Sequence, residues 1–319
     1  MLISVIIATH NGAATLPRML DALAAVDQPP GGPGGSVEVI AVDNASNDTT
    51  AAILDTATRT LPMPLRRIAE PRRGKCSALN TGLDAALGDL IVFADDDILP
   101  DPGWLQAYAR AAAAFTDVAL FAGQVRHSWD RPPPGWLAEL ASRGHAWAGT
   151  DITRPAGPID WTQVKGLNMA VRRRALGTVR FAERPGLNFS GQGASVGGED
   201  TLFAREITAS GQAARYVPDA CVRHIVRAEQ IGVRPLLQRY YRIGRAQIVS
   251  DPTLAAGPRL AGMARAPLVY AARRTLGALL RLVRGQTAAA AERLVDAAMA
   301  LGRAREAGRH ATSRQGAQP

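Results

Sequence analysis

Three short runs of apolar, β-branched residues, each stopped by a polar cluster, constrain this chain more than any other feature. Residues 2–8 (L-I-S-V-I-I-A) lead into T-H-N-G, residues 37–42 (V-E-V-I-A-V) into D-N-A-S-N-D-T, and residues 90–94 (L-I-V-F-A) into D-D-D. Short, predominantly apolar, β-rich runs of this kind read as buried parallel strands. Between them, residues 15–26, 49–60 and 76–87 suit helix, and residues 64–69 supply a further strand. Strand and helix therefore alternate, which predicts an open, doubly wound α/β sheet. Ligands bind such sheets beyond the carboxyl ends of the strands, where all three polar clusters fall.

With 319 residues, 47% of them apolar, the chain is long enough to bury a large core. The mixed composition excludes collagen, coiled coil and wholesale disorder. Cys76 and Cys221 are too few for a disulfide framework, and buried thiols in a reducing compartment are expected. No apolar run reaches the length of a membrane span. Residues 1–8 lack the basic segment of a signal peptide, so a cytoplasmic location is expected. The net charge of +9 is unevenly placed: from residue 231 onward there are 15 Arg and 4 acidic residues, against 22 basic and 24 acidic before it.

Residues 129–136 (W-D-R-P-P-P-G-W) read as a loop, because three successive prolines neither donate to a ladder nor continue a helix. Residues 186–198 are glycine-rich and precede a helix beginning near Glu199; long loops of this kind commonly cover a site. From residue 233 the chain reads as helical. A helical wheel over residues 267–284 puts Leu268, Leu276, Leu279, Leu280 and Val283 in one sector and Arg273, Arg274, Arg281 and Arg284 in the adjoining one. Two readings of this basic amphipathic helix stay open: its apolar face packs on the rest of the chain, or it lies on the inner face of an anionic membrane. No nucleic-acid-binding module accompanies the arginines, and no nucleic-acid partner is expected.

Among chemistry-bearing residues, Asp95 and Asp97 are two apart at a strand end. In extended chain their carboxylates leave one face and suit one hard cation, Mg²⁺ or Mn²⁺. Asp43 reads equally as an acceptor for a nucleobase or ribose and as a turn acid. Residues 70–80 (E-P-R-R-G-K-C-S-A-L-N) set Arg72, Arg73 and Lys75 around Gly74 at a helix start, which suits a diphosphate, although the P-loop spacing is missing.

Four segments, S-V-I-I-A-T-H-N-G, V-D-N-A-S-N-D-T, R-G-K-C-S-A-L-N-T-G-L and F-A-D-D-D-I-L-P-D-P-G-W-L, in this order resemble the N-terminal half of a family 2 glycosyltransferase of the GT-A fold. G-L-N-M-A-V-R-R (166–173) and G-G-E-D-T-L-F-A-R-E (197–206) resemble that family's acceptor-side segments, so the likeness spans roughly residues 2–245. It implies an α/β, GT-A type mixed sheet with a Rossmann-like nucleotide-binding half and a C-terminal helical extension. The corresponding division is a catalytic domain over 1–230 (donor half 1–125, acceptor half 126–230), basic helices over 231–307 and a disordered tail over 308–319.

Position by position, the resemblance implies that Thr9, Asn11, Asp43, Lys75, Asn80, Asp95 and Asp96 bind the nucleotide sugar. Asp97 becomes the direct ligand of Mn²⁺ or Mg²⁺, with Asp95 and His224 beside it. Asp200 becomes the catalytic base, with Glu199 orienting acceptor or base, and Gly166, Asn168 and Trp161 line the acceptor side. Trp161 also reads as an ordinary buried Trp. A carboxylate base deprotonates the acceptor hydroxyl and a metal stabilises the diphosphate leaving group. One base with in-line attack implies inversion. Processive members carry Q-x-x-R-W and transmembrane helices; here Gln238-Arg239-Tyr240-Tyr241-Arg242 stands instead, implying transfer of a single sugar, with Tyr241, Arg242 and Arg245 available to diphosphate or acceptor. A UDP-sugar donor and a glycan or lipid-linked acceptor are expected. A sugar-phosphate nucleotidyltransferase would need a glycine-rich basic loop near its start, and residues 9–16 hold one Gly and no Lys or Arg. Against a binding-only protein stands the presence of both Asp97 and Asp200.

Overall fold

The predicted strands and helices alternate as the apolar runs require. In a computed structural model, which describes residues 1–30, 36–183, 198–209 and 211–315, the first half runs β1 (Ile3–Thr9), α1 (Leu16–Ala24), β2 (Val37–Asp43), α2 (Thr50–Thr60), β3 (Leu65–Ala69), α3 (Lys75–Ala85), β4 (Leu90–Asp95). After these come β5 (Ile98–Pro100), α4 (Trp104–Ala114), β6 (Val118–Trp129), α5 (Gly135–Ser142), β7 (Gly157–Pro158), β8 (Asn168–Arg172), α6 (Arg173–Leu176), α7 (Glu199–Thr208) and β9 (Ala213–Val226). Three long helices follow: α8 (Val233–Ser250), α9 (Arg265–Val283) and α10 (Thr287–Gln315).

One mixed sheet holds the strands in the order β3-β2-β1-β4-β8-β6-β9-β5, with β7 on the side of β9. β1, β2, β3 and β4 pair in parallel, β8 runs antiparallel to both β4 and β6, and β6 pairs in parallel with β9. The chain order reverses between β1 and β4, so the crevice expected at such a switch point opens beside Thr9 and Asp95.

Alternation along the strands divides the core into two layers. Ile3, Val5 and Ile7 pack with Leu16, Met19, Leu54 and Trp104 on one face of the sheet, while Ile6, Ile40, Ile91 and Phe93 pack with Leu79, Leu83, Phe203 and Ile207 on the other. The second layer centres on an aromatic cluster in which Phe181 stacks on Phe203 at 4.1 Å between centroids and Phe93 meets both edge-on. A third cluster, including Leu137, Trp147, Val226, Leu236 and Val295, joins α5, α8 and α10 to the end of β9.

Several expectations shift. The loop expected over 129–136 is shorter: β6 extends to Trp129 and α5 begins at Gly135, leaving the prolines in the connector where their fixed φ suits a helix entry. Rather than ending near 308, α10 continues to Gln315. Cys76 and Cys221 are buried and form no disulfide. The glycine-rich loop over 186–198 lies, apart from Gly198, outside the described residues.

Candidate active site

The three acids at the end of β4 do not share one face, because the chain turns at Asp96 and Asp97 before β5. Each finds its own partner. Asp95 accepts an ion pair from Lys75 Nζ at 2.6 Å. Asp96 takes a very short hydrogen bond from the Thr9 hydroxyl across the switch point. Asp97 Oδ2 lies 3.1 Å from His224 Nε2, and the other ring nitrogen of His224 meets the Trp147 carbonyl at 2.8 Å. This divergence is how one short turn carries three carboxylates without their mutual repulsion dominating.

Lys75 opens α3, and its backbone entry depends on Gly74, whose φ of 146° lies in the region that favours glycine. Asn44 holds that entry: its carbonyl oxygen accepts from the Gly74 N–H at 2.7 Å, while its amide donates to the Glu70 and Arg72 carbonyls. Asp43 is buried beside it; its Oδ1 accepts from the Ser46 N–H at 3.1 Å and braces the turn at the β2 end, while Oδ2 has Arg67 4.0 Å away. Asn11, at a φ of 53°, is bound to the same turn through Ser46 and Asn47.

From the acceptor half, α7 presents Glu199 and Asp200 in its first turn. Glu199 Oε1 stands 3.8 Å from Lys75 Nζ, so Lys75 joins Asp95 to the α7 terminus. Asp200 is held by two backbone donors, Gly166 N–H at 2.9 Å and Thr201 N–H at 2.8 Å, one to each oxygen. Gly166 is needed there, since a Cβ on it would fall 2.6 Å from the Asp200 Cβ.

Electrostatics bind these groups into one field. Burial pushes the Lys75 ammonium down, but Asp95 and Glu199 hold it above its ordinary value. Burial and the neighbouring Asp97 charge push Asp96 up to about 7. Burial likewise opposes ionisation of Asp97, yet the His224 imidazole holds it below the usual carboxylate range, and His224 is raised in return.

Two cations that the sequence reading passed over face the same space. Lys165 is lowered by burial and feels Asp200; Arg239 is lowered by burial and feels both Asp97 and Asp200. The Arg239 guanidinium also lies 5.6 Å from the Trp147 ring centroid. Both stand at segments the sequence reading quoted, Lys165 one residue before G-L-N-M and Arg239 within 238–242, but neither segment's pattern marks them as facing the site. Tyr241, Arg242 and Arg245 instead line a cleft of about 540 Å³ between α8 and α10, where Arg245 pairs with Glu306 at 2.6 Å.

Asn168 and Asn80 depart from the sequence reading. Asn168 is fully buried: its Oδ1 accepts from Trp104 Nε1 and Tyr108 OH, and its Nδ2 donates to the Gln124 and Ala220 carbonyls, all at 2.8 Å. Its side chain is a brace behind the site in place of the expected acceptor contact. Asn80 is equally occupied, donating to the Phe181 carbonyl and Glu183 and accepting from the Phe181 N–H. It anchors the segment leading into the glycine-rich loop instead of reaching the crevice. Trp161 is half-buried against the second core layer.

Among the described residues no group of three or more His, Cys, Asp or Glu side chains converges on one point. Asp97 with His224 nevertheless fits a hard divalent cation, because Asp97 Oδ1 is buried with no hydrogen-bond partner in the described structure. Mg²⁺ and Mn²⁺ sites commonly take one or two protein ligands and complete their shell with water and substrate phosphate.

A doubly wound sheet with anionic and cationic groups gathered at its switch point is the setting of a ligand-binding α/β enzyme, and comparison with known proteins makes the class specific. Residues 4–175 match the model of glycosyl transferase family 2, more than half of the chain, and the chain belongs to that family. It is a glycosyltransferase of the GT-A fold. It is 26% identical over 249 residues to the glycosyltransferase AglE of Haloferax volcanii, an alignment covering 77% of this chain and 73% of that one. Among solved structures it is similar to the mannosyltransferase PcManGT of Pyrobaculum calidifontis in complex with GDP-Man and Mn²⁺, at 23% identity and a TM-score of 0.53 over 92% of this chain and 85% of that one. It is also similar to S. aureus TarS 1-349 in complex with UDP-GlcNAc, at 17% identity and a TM-score of 0.52 over 79% of this chain and 68% of that one. A longer TarS structure is matched over 40% of its length. At these identities the structural likenesses establish the fold.

Proposed function

We propose that this chain is a metal-dependent, inverting glycosyltransferase that moves one sugar from a nucleoside diphosphate donor, a UDP-sugar foremost, to a hydroxyl of a glycan or lipid-linked acceptor in polysaccharide or glycoconjugate biosynthesis. The observation that carries this reading is the convergence of Asp97, with its unpartnered buried oxygen, and Asp200, fixed by two backbone donors, on one cationic field made by Lys75, Lys165 and Arg239. Residues 1–230 form the body of the catalytic part in this reading, and the helices after it extend it, α8 adding Arg239 to the site.

Thr9, Asn11 and Asp43 line the nucleoside end of the crevice, and Lys75 with Arg239 offsets the charge of the diphosphate. Asp97 and His224 would hold Mn²⁺ or Mg²⁺, which, when bound, stabilises the negative charge left on the departing diphosphate. Asp200 takes the acceptor hydroxyl proton as the oxygen attacks the anomeric carbon. Its two backbone donors keep the carboxylate aimed; the Thr201 hydroxyl also meets Oδ1 at 3.4 Å, so Oδ2 is the oxygen with a lone pair left for that proton. Glu199 is committed to Lys75, so one carboxylate serves as base, and the attack from the face opposite the leaving group inverts the anomeric centre.

The Asp200→Asn variant tests this directly. Turnover is expected to fall by about 10²–10⁴-fold, the range of a general base, while donor binding by calorimetry stays unchanged. Retained turnover in Asp200→Asn would remove the base assignment.

A further inference from the structure

The amphipathic helix α9 turns its alanines inward and its leucines outward. Ala271 and Ala278 are its buried residues, and Arg274 on the same side pairs with Asp296 of α10. At about 100° per residue, Leu276, Leu280 and Val283 fall on the side of the helix away from those alanines, and Leu279 lies about a quarter turn from them. They are exposed, Leu276 at 61% and Val283 at 88%. Packing against the rest of the chain, one of the two readings open from sequence, therefore accounts for the small residues and leaves the large ones in water.

Exposed Leu and Val in one contiguous stripe are costly, and such patches mark interaction surfaces. What covers this one is indicated by its border. Arg273 and Arg284 are exposed along one edge, and α9 contains no Asp or Glu. A second copy of the chain placed stripe to stripe about a two-fold axis would set arginine against arginine with no acid on either helix to compensate. An anionic lipid surface supplies both missing complements, an apolar layer for the leucines and negative headgroups for the arginines. Among the described residues no helix is long and apolar enough to cross a membrane, so α9 would lie in the plane of the interface.

We infer that the Leu276–Val283 face of α9, edged by Arg273 and Arg284, is a docking surface for anionic lipid bilayers. The inference stands apart from the transfer reaction: α9 packs chiefly on α10, and its stripe holds none of the residues placed at the active site. Docking there would hold the enzyme on the surface where a lipid-linked acceptor resides.

The test is flotation of the full chain with vesicles of phosphatidylcholine, with and without phosphatidylglycerol. Truncation at the start of α9 is unsuitable, since it would also strip α10 from α8, with which α10 packs extensively. Two variants at exposed positions avoid this: Leu276→Gln/Leu279→Gln/Leu280→Gln, and Arg273→Gln/Arg284→Gln. Wild type is expected to float with the phosphatidylglycerol vesicles and not with the neutral ones, and to be released by high salt. Each variant is expected to lose at least about tenfold in partition, with unchanged circular dichroism, melting temperature and donor turnover in solution. Three results would overturn the inference: wild type that stays with the soluble fraction, equal partition to neutral vesicles, or variants that partition like wild type. Sedimentation showing a wild-type dimer that the leucine variant splits, with no vesicle binding by either, would assign the stripe to a second copy.

Discussion

Asn168 shows how a residue in a family-like motif serves the site from behind. In G-L-N-M-A-V-R-R it looks like an acceptor contact, but its amide meets an indole N–H, a phenol and two backbone carbonyls inside the sheet. Replacing it with Ala strands those buried groups, so Asn168→Ala is expected to destabilise the fold by about 2–4 kcal/mol in urea unfolding. A purely acceptor-binding role would instead raise the acceptor KM and leave stability untouched. Asp97 was legible as an acid after an apolar strand, because hydrophobic runs ending in acids mark strand tips at a crevice. His224 entered beside it only through the family resemblance; no local pattern announces the pairing, which depends on β9 lying beside β5, a relation between residues more than a hundred positions apart. Lys165 and Arg239 were missed for the same reason, since nothing in their local sequence says that they converge on Asp200.

At the scale of elements, the segment between β3 and α3 holds Lys75 in place, and its rigidity has a pH signature. The Glu70 carboxylate is drawn from 4.5 down to about 2, chiefly by hydrogen bonds from Arg72 and with help from Thr81, against the cost of burial. A carboxyl whose folded value is depressed contributes stability that is complete above the unfolded value and is lost as pH falls through the folded one. Glu70→Gln is therefore expected to destabilise the protein at pH 7, by about 1 kcal/mol given that Arg72 is largely solvated, and the gap should close as pH drops from 4.5 towards 2. Chemical unfolding of both proteins across that range checks it; a gap that persists at the acid end would contradict the ion-pair account. The elements themselves were unequally readable. β1, β2 and β4 announce themselves as mostly apolar runs, buried on both faces. β9 does not, because Pro218 interrupts it where its register with β6 shifts, and the far half of β6 turns polar as it leaves the core. Periodicity marked α9 as an amphipathic helix but could not say which face turned inward, since that choice belongs to α10.

Across the whole molecule, the donor crevice, the α7 terminus and the three C-terminal helices form one continuous support. α8 brings Arg239 to the site on one side and packs against α10 on the other, and α10 carries α9 with its outward leucines. The basic surplus of the last ninety or so residues is thus divided between the active-site field, internal pairs such as Arg245 with Glu306, and the exposed edge of α9. The proposed donor chemistry and the inferred lipid docking use different parts of this architecture, so each can fail without the other. The central claim is that the Asp97 side of the crevice binds a nucleoside diphosphate sugar together with a divalent cation. Thermal unfolding against UDP- and GDP-sugars, with and without Mn²⁺, tests it most directly, because a ligand bound by the native state raises the melting temperature. The account predicts a Mn²⁺-dependent rise with one nucleotide class that disappears in Asp97→Ala; no rise with any donor, or an equal rise without metal and in Asp97→Ala, would contradict it.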